Sequence, residues 1–450
     1  MRESASRNKI GISRRLTAKL TSQKLYNPRD LVRPHRLDIA AKTVFARAYI
    51  EGNTSQWPEE LYREHIKAWN GFFEQQPSKQ SFEDFKKSFT EVIEASLRGD
   101  FQYHKSPVAL DIDSKLENGA HRVSTALVLD KFVNTYISTD MKAGEWDHNF
   151  FKYWANEGQS KGLAEKYIDA MTIEYVSLVP TQMYAVILFP AASGHREKAD
   201  DVIKQMGEVL NVKEIPHSEL EGRQVIRQLY MGEWWNSDAN VDHVNNKAAQ
   251  CFKGDEPLRV YIVRSSLNEK ERRAIKEKLR AVWKIDNHSI HMSDTEDEVF
   301  RIATMFFNHN SRKILSVKKN REYLPIFGKL FHEYAESMPS DFIERERFCI
   351  DSSGTLGVLG IRDVNDIDYL HRGDDMIKSD NPGVASHNEH AHWYDISIDE
   401  IVTNPENHFY YNGVKFASLD VVMRMKQRRN ESKDKKDVKL IRDFIKKYGE

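Results

Sequence analysis

The sequence predicts a multidomain protein of mixed α/β and α+β character: a helical N-terminus, a central α/β unit and a C-terminal unit of strands and helices. Three observations predict it. Up to about residue 100, apolar residues recur at helical spacing. Between about 180 and 315, strand-like and helix-like runs alternate. From about 345, short β-prone runs are punctuated by Gly, Asn and Asp before a helical tail. A chain of 450 residues also accommodates about two to four domains. The expected boundaries are a basic arm over 1–30, a helical and mixed domain over 31–180, a central domain over 181–325 and a last domain over 326–450.

The elements follow in order. "RLDIAAKTVFARAYIEG" and "PEELYREHIKAWNGFFEQ" are amphipathic helices, with Pro58 at a first-turn position. "SFEDFKKSFTEVIEASLRG" is a third, capped by Ser81 and ended by Gly99. "SPVALDID" alternates like a strand, and "LENGAHRVSTALVLDKFVNTYIS" reads as turn, helix, strand. "QMYAVILFPA" is a strand, "EKADDVIKQMGEVLNV" a helix, "PLRVYIVRSS" a strand, "LNEKERRAIKEKLRAVW" a helix and "HSIHMS" a strand. Thr295 and Glu298 fit a capping box at the next helix. "ERFCID", "DIDYL" and "HWYDISI" are expected strands, and "HFYYNGVKF" a hairpin about a type I′ Asn412-Gly413 turn. Two helices close the chain.

Composition narrows the function. Apolar residues make up 40 % and charged residues 30 %, with a net charge of −1, so no global field selects nucleic acid or membrane. No apolar run of about 18 residues and no leader-like N-terminus is found, and a cytoplasmic protein is expected. Two cysteines, Cys251 and Cys349, support neither a disulfide framework nor a zinc ribbon. Residues 1–36 hold ten Lys/Arg against two acids, and the tail "RMKQRRNESKDKKDVKLIRDFIKK" is also basic. Without interleaved aromatics these runs read as solvated faces, and nucleic acid is not an expected partner.

"IDSSGTLGVLGIRDVNDIDYL" is the stretch richest in chemistry. Strand alternation puts Asp366 and Asp368 on one face and Ile367 on the other. Two adjacent carboxylates repel unless a cation lies between them, and Mg²⁺ with oxygen ligands is the natural one. Ser352-Ser353-Gly354 follows an apolar strand and opens a helix, where exposed N–H groups suit phosphate. Together these parts would hold a nucleoside triphosphate, ATP or CTP.

The same residues resemble the signature of the DNA polymerase beta-like nucleotidyltransferases: a Gly-Ser turn after one strand and Asp-x-Asp on the next. The resemblance covers about 330–450, and the turn here reads Ser-Ser-Gly. It extends to Lys426, Lys433, Asp434 and Asp437, which match a Lys followed by a Lys-Asp-x-x-Asp run near the end of small members. It implies a third carboxylate on a later strand; Asp395 is the first candidate and Asp399 the second. The implied activity is Mg²⁺-dependent transfer of a nucleotidyl or phosphoryl group to a small acceptor such as a sugar phosphate. Over the whole chain there is a looser similarity to bacterial or viral proteins of surface-glycan assembly.

"LENGAHRVSTALVLDK" resembles the Gly-x-His-Arg turn of the ParB/sulfiredoxin-like fold over about 100–180. That resemblance implies phosphate binding by His121 and Arg122, and an alternative function as a kinase or phosphotransferase. A non-catalytic nucleotide- or nucleic-acid-binding protein is the third alternative. His291, Asp294 and Glu298 in "SIHMSDTEDE" form a weaker metal-like pattern, and "MGEWWNSDANVDH" offers tryptophans either for stacking on a sugar or base or for the core.

Overall fold

The computed structural model describes residues 24–75, 78–101, 106–139, 142–154, 162–236, 240–317, 324–379 and 381–448. Most of the predicted basic arm lies outside them. Among the described residues the architecture is mixed α and β with three small sheets, and no helix is long and apolar enough to cross a membrane. Two compact units are formed: described residues up to Gly52 with Glu59–Ile168, and Asn53–Pro58 with those from Asp169 onward.

The first unit contains β1 (Lys24–Tyr26), α1 (Asp38–Ile50), α2 (Trp57–Asn70), α3 (Phe82–Leu97), β2 (Val108–Leu110), β3 (Leu116–Asn118), α4 (Ala120–Val128) and β4 (Val133–Ile137). Its sheet runs β1-β4-β2-β3, with only β2 and β4 parallel. Ser81 caps α3 in a reciprocal box with Asp84. Helix α1 is buried on nearly every side, so its charges must be paired. Asp38 accordingly lies between Arg36, at 2.8 Å, and Lys42.

In the second unit α5 (Glu165–Leu178) precedes β5 (Met183–Leu188), α6 (Arg196–Lys204), β6 (Glu208–Ile215), α7 (Gly222–Leu229), α8 (Val241–Cys251), β7 (Leu258–Arg264), α9 (Glu269–Trp283) and β8 (Ile290–Met292). The sheet order is β6-β7-β5-β8 and every pairing is antiparallel. This is the split βαβ arrangement, two β-α-β halves interleaved, with α7 and α8 inserted between the halves. Ala199, Ile203, Ile275 and Leu279 of α6 and α9 cover Val186, Leu188, Tyr261 and Val263. The helix expected over "EKADDVIKQMGEVLNV" stops at Lys204, and its second half is β6. Gly207 makes the break: a Cβ there would lie 2.0 Å from the Arg264 carbonyl oxygen, so the chain turns tightly onto β7.

The chain continues through α10 (Glu296–Phe306), α11 (His309–Leu315), α12 (Pro325–Glu336), α13 (Phe342–Arg345), β9 (Phe348–Ile350), α14 (Ser352–Val358), β10 (Ile367–His371), β11 (Val384–Ser386), α15 (Ile398–Thr403), β12 (His408–Tyr411), β13 (Val414–Ala417), α16 (Leu419–Arg429) and α17 (Ser432–Tyr448). The third sheet is ordered β11-β10-β9-β13-β12. Alternation along its strands separates two cores. Phe348, Ile350, Ile367, Tyr369 and Phe416 pack with Phe327, Phe331 and Tyr334 of α12. Cys349, Leu370 and Ala417 face the opposite way, toward Leu356, Ile401, Val421, Met425 and Ile441. Asn412 and Gly413 have φ of 54° and 74°, which makes the β12–β13 turn the I′ type that the Asn-Gly pair favours. On the outer side of β12, the Tyr410 N–H donates to Ser311 Oγ (2.8 Å) and Asn310 donates to the His408 carbonyl (3.2 Å).

One local expectation fails here, and one strand was not foreseen. "HWYDISI" is no strand: Asn388–Trp393 form a 3-10 turn and Ser397 caps α15 through the Glu400 N–H. The serine hydroxyl satisfies a helix donor, and that outweighs the alternating pattern. The strand that does join β10 is β11, a three-residue segment lacking a continuous apolar run.

Candidate metal centre

Three adjacent strands build the centre. All of β9 is buried, and it ends at Asp351, whose N–H donates to the Asp368 carbonyl at 3.0 Å. That bond sets the register of β9 against β10 and brings the two aspartates to one level. Parallel pairing of β11 with β10 then delivers His387, whose N–H donates to the Tyr369 carbonyl at 2.8 Å. One ligand atom each of Asp351, Asp368 and His387 lies within 4.8 Å of the others.

The electrostatics are unbalanced. Asp351 is fully buried, and among the described residues its Oδ1 has no hydrogen-bond partner. Its Oδ2 sits 3.2 Å from His387 Nδ1. Burial and the neighbouring Asp351 charge push the Asp368 carboxyl up to about 6, against the pull of His387 and Lys426; the Asp366 charge adds to the rise. Burial opposes a charged His387 ring, but the hydrogen bond and charge of Asp351 and the charge of Asp368 outweigh it, so its pKa is raised. Immediately after Asp351 the chain enters the left-handed region at Ser352, φ 50°. A side-chain-bearing residue there costs about 1–2 kcal/mol, held in place by the packing around it.

The expected site residues fall in different places. Asp366 precedes β10, is exposed, and accepts from Ser353 Oγ at 3.2 Å. It lies just before the strand and is outside the Asp351–Asp368–His387 group. Ser352, Ser353 and Gly354 open α14 as expected but are buried. Glycine is demanded there by packing, since a Cβ on Gly354 would lie 2.4 Å from Ile350 Cγ2 and one on Gly357 2.5 Å from Phe327 Cδ2. Gly354→Ala is therefore expected to destabilise the protein by about 1–3 kcal/mol, read as a lower midpoint in chemical denaturation. An unchanged midpoint would show that β9 yields easily at Ile350.

Asp395 lies exposed on a loop and pairs with Arg424 Nε at 2.8 Å, and Asp399 pairs with Arg372 at 2.9 Å. Neither joins the metal group. Lys426 is 2 % exposed. It lies 2.9 Å from Asp437 and 3.6 Å from Asp434, while Arg362 holds Asp437 and Arg429 holds Asp434 through two bonds each. Lys433 stays exposed beside Glu431. In the first unit, the His121 ring stacks on Phe89 with centroids 4.2 Å apart and meets the Tyr62 hydroxyl at 3.0 Å. Burial, together with the charges of Lys42 and Lys79, holds its pKa well below the ordinary value, so the ring is neutral. Arg122 donates to the Ser106 and Pro107 carbonyls at 3.0 and 2.8 Å. His121 is thus enclosed as a neutral ring, while Arg122 is half-buried with its Nη1 taken up by backbone carbonyls.

The sequence reading missed Asp351 and His387. Asp351 had a signal, as a lone acid ending an apolar strand. His387 had none within its own segment. No family model matches the chain, and no curated protein and no solved structure matches it.

Proposed function

We propose that the C-terminal centre binds a divalent cation through Asp351 and Asp368 and that the protein is a metal-dependent transferase. It moves a nucleotidyl or phosphoryl group from ATP or CTP to a small acceptor, with a sugar phosphate of surface-glycan synthesis as the favoured class. One observation carries the reading. A fully buried carboxylate with an orphaned oxygen faces a second carboxylate, an arrangement that is costly unless a cation completes it. The oxygen donors suit Mg²⁺. His387, bonded to Asp351, orients that carboxylate from behind, as outer-shell groups do. Asp366, on the open side of the strand, extends the acidic face toward solvent. Lys426 and Arg429 on α16 place positive charge behind Asp368 and Asp351. A bound cation would neutralise triphosphate charge.

Calorimetric titration of ATP and CTP with and without Mg²⁺ tests this. Binding is expected only with the metal, and Asp351→Asn, Asp368→Asn and Asp366→Asn are each expected to weaken it, the first two by at least about tenfold, one charged ligand being worth more than 1.4 kcal/mol. Equal metal-dependent affinity in all four proteins would sink the assignment.

A further inference from the structure

A separate cavity of about 1030 Å³ lies in the split βαβ part of the second unit. Its walls are the end of α7, α8, α9, β8 and the start of α10. The volume is at the upper end of the range typical of small-molecule sites.

Its charges are sorted. Glu298 is consumed internally: Oε1 sits 2.8 Å from His291 Nε2, and Oε2 accepts from the Asp294 N–H at 2.7 Å. Asp294 pairs with Lys276 at 3.4 Å. The remaining lining acids, Glu233 and Asp286, are exposed at the rim. The cations Lys247, Arg280 and Arg301 are half-buried. Arg280 Nη1 pairs with Glu277 at 3.0 Å, and Arg301 Nη2 donates to the Leu229 carbonyl at 3.3 Å and lies 4.0 Å from Glu298, but among the described residues the Nε of each is buried with no hydrogen-bond partner. Lys247 donates to Asn287, at 2.6 Å to its carbonyl and 3.3 Å to its side chain. Burial holds the Lys247 pKa below its ordinary value, and the Arg280 charge adds to that depression. Two cations thus share a polar cavity, and Glu277, the acid paired with Arg280, is not among the residues that line it.

Rings stand beside them. Tyr230 lies under Lys247 Nζ at 5.4 Å and meets Trp235 and His291 with centroids 5.0 and 4.9 Å away. Burial keeps the Tyr230 hydroxyl protonated. The cavity therefore joins an anion-attracting end to an aromatic wall and a polar His–Glu pair.

We propose that this cavity is a second ligand site, for a small phosphomonoester whose phosphate lies between Lys247 and Arg280 and whose ring packs on Tyr230 and Trp235. Arginine and lysine donors around a phosphate form charge-assisted bonds, and the aromatic wall accepts either a base or a sugar face. The site is independent of the metal centre, so its ligand binds without a divalent cation.

The experiment is calorimetric titration of the full chain in EDTA with inorganic phosphate, AMP and glucose 6-phosphate. At least one organic phosphate is expected to bind tenfold or more tightly than inorganic phosphate. AMP ahead of the sugar phosphate supports a nucleoside ligand, and the reverse order supports a sugar one. Arg280→Glu is expected to weaken the preferred ligand at least tenfold, and Asp368→Asn to leave it unchanged. Should Arg280→Glu fail to fold, Lys247→Gln carries the same expectation of a several-fold loss. No organic phosphate binding above inorganic phosphate, or full affinity in a folded Arg280→Glu or Lys247→Gln protein, overturns the proposal.

Discussion

Lys426→Met is expected to lower the unfolding free energy by about 3–5 kcal/mol, the range for breaking a buried ion pair from one side. Lys426 and Asp434 are 2 % and 0 % exposed, and Asp437 is 4 % exposed, so no carboxylate can recover its charge compensation from water. Arg362 and Arg429 remain on Asp437 and Asp434, which places the expected loss at the lower end of that range. Methionine keeps the length of the stem, and the test therefore addresses charge rather than volume. Chemical denaturation gives the value. Adding Asp437→Asn to Lys426→Met should recover part of the loss, because it removes the acid left without its lysine. A loss below about 1 kcal/mol, the level of an exposed pair, would mean that the two arginines alone satisfy both aspartates.

The cation-free protein is expected to become less stable as pH rises from about 4 to about 7, and a divalent ion to reverse that loss. The sign follows from the direction of the shifts. Asp368 is raised from 3.8 to about 6 in the folded protein, so the folded state holds a proton that the unfolded state has released. Its stabilising contribution is full below the ordinary carboxylate pKa and disappears as pH passes through about 6. The size is roughly 3 kcal/mol at 1.36 kcal/mol per pH unit. His387 is also raised, and its contribution is likewise lost on going alkaline. Thermal melts at pH 5 and pH 7.5, with EDTA or with Mg²⁺, measure the effect. The Mg²⁺ shift should be large at pH 7.5 and small at pH 5. Asp368→Asn should flatten the difference between the two pH values in EDTA. A Mg²⁺ shift of equal size at both pH values, or an unaltered pH difference in Asp368→Asn, would contradict the shared cation.

What the sequence disclosed was local. The cap at Ser81, the Thr295 cap and the Asn412-Gly413 turn each depend on a few neighbouring residues, and each is present. The metal group depends on pairing between distant segments. Asp351 reaches Asp368 through the β9–β10 register, and His387 arrives by the parallel β11 pairing. No periodicity within either segment encodes that. Glycine has a similar ambiguity, since a residue small enough for a phosphate is also small enough for Ile350 or Phe327. The His121 turn was legible, but the rings of Phe89 and Tyr62 that enclose it come from other helices. Lys247, Arg280 and Arg301 stand on three separate helices and form no motif at all.

The outer side of β12 bears on how this chain behaves at high concentration. An edge strand offers an unpaired row of amide and carbonyl groups on which a foreign strand can grow. Here Ser311 occupies the Tyr410 amide and Asn310 the His408 carbonyl, so two short polar side chains at the start of α11 act as a plug over the row. A sheet blunted in this way resists strand addition and the aggregation that begins with it, and it stops at five strands.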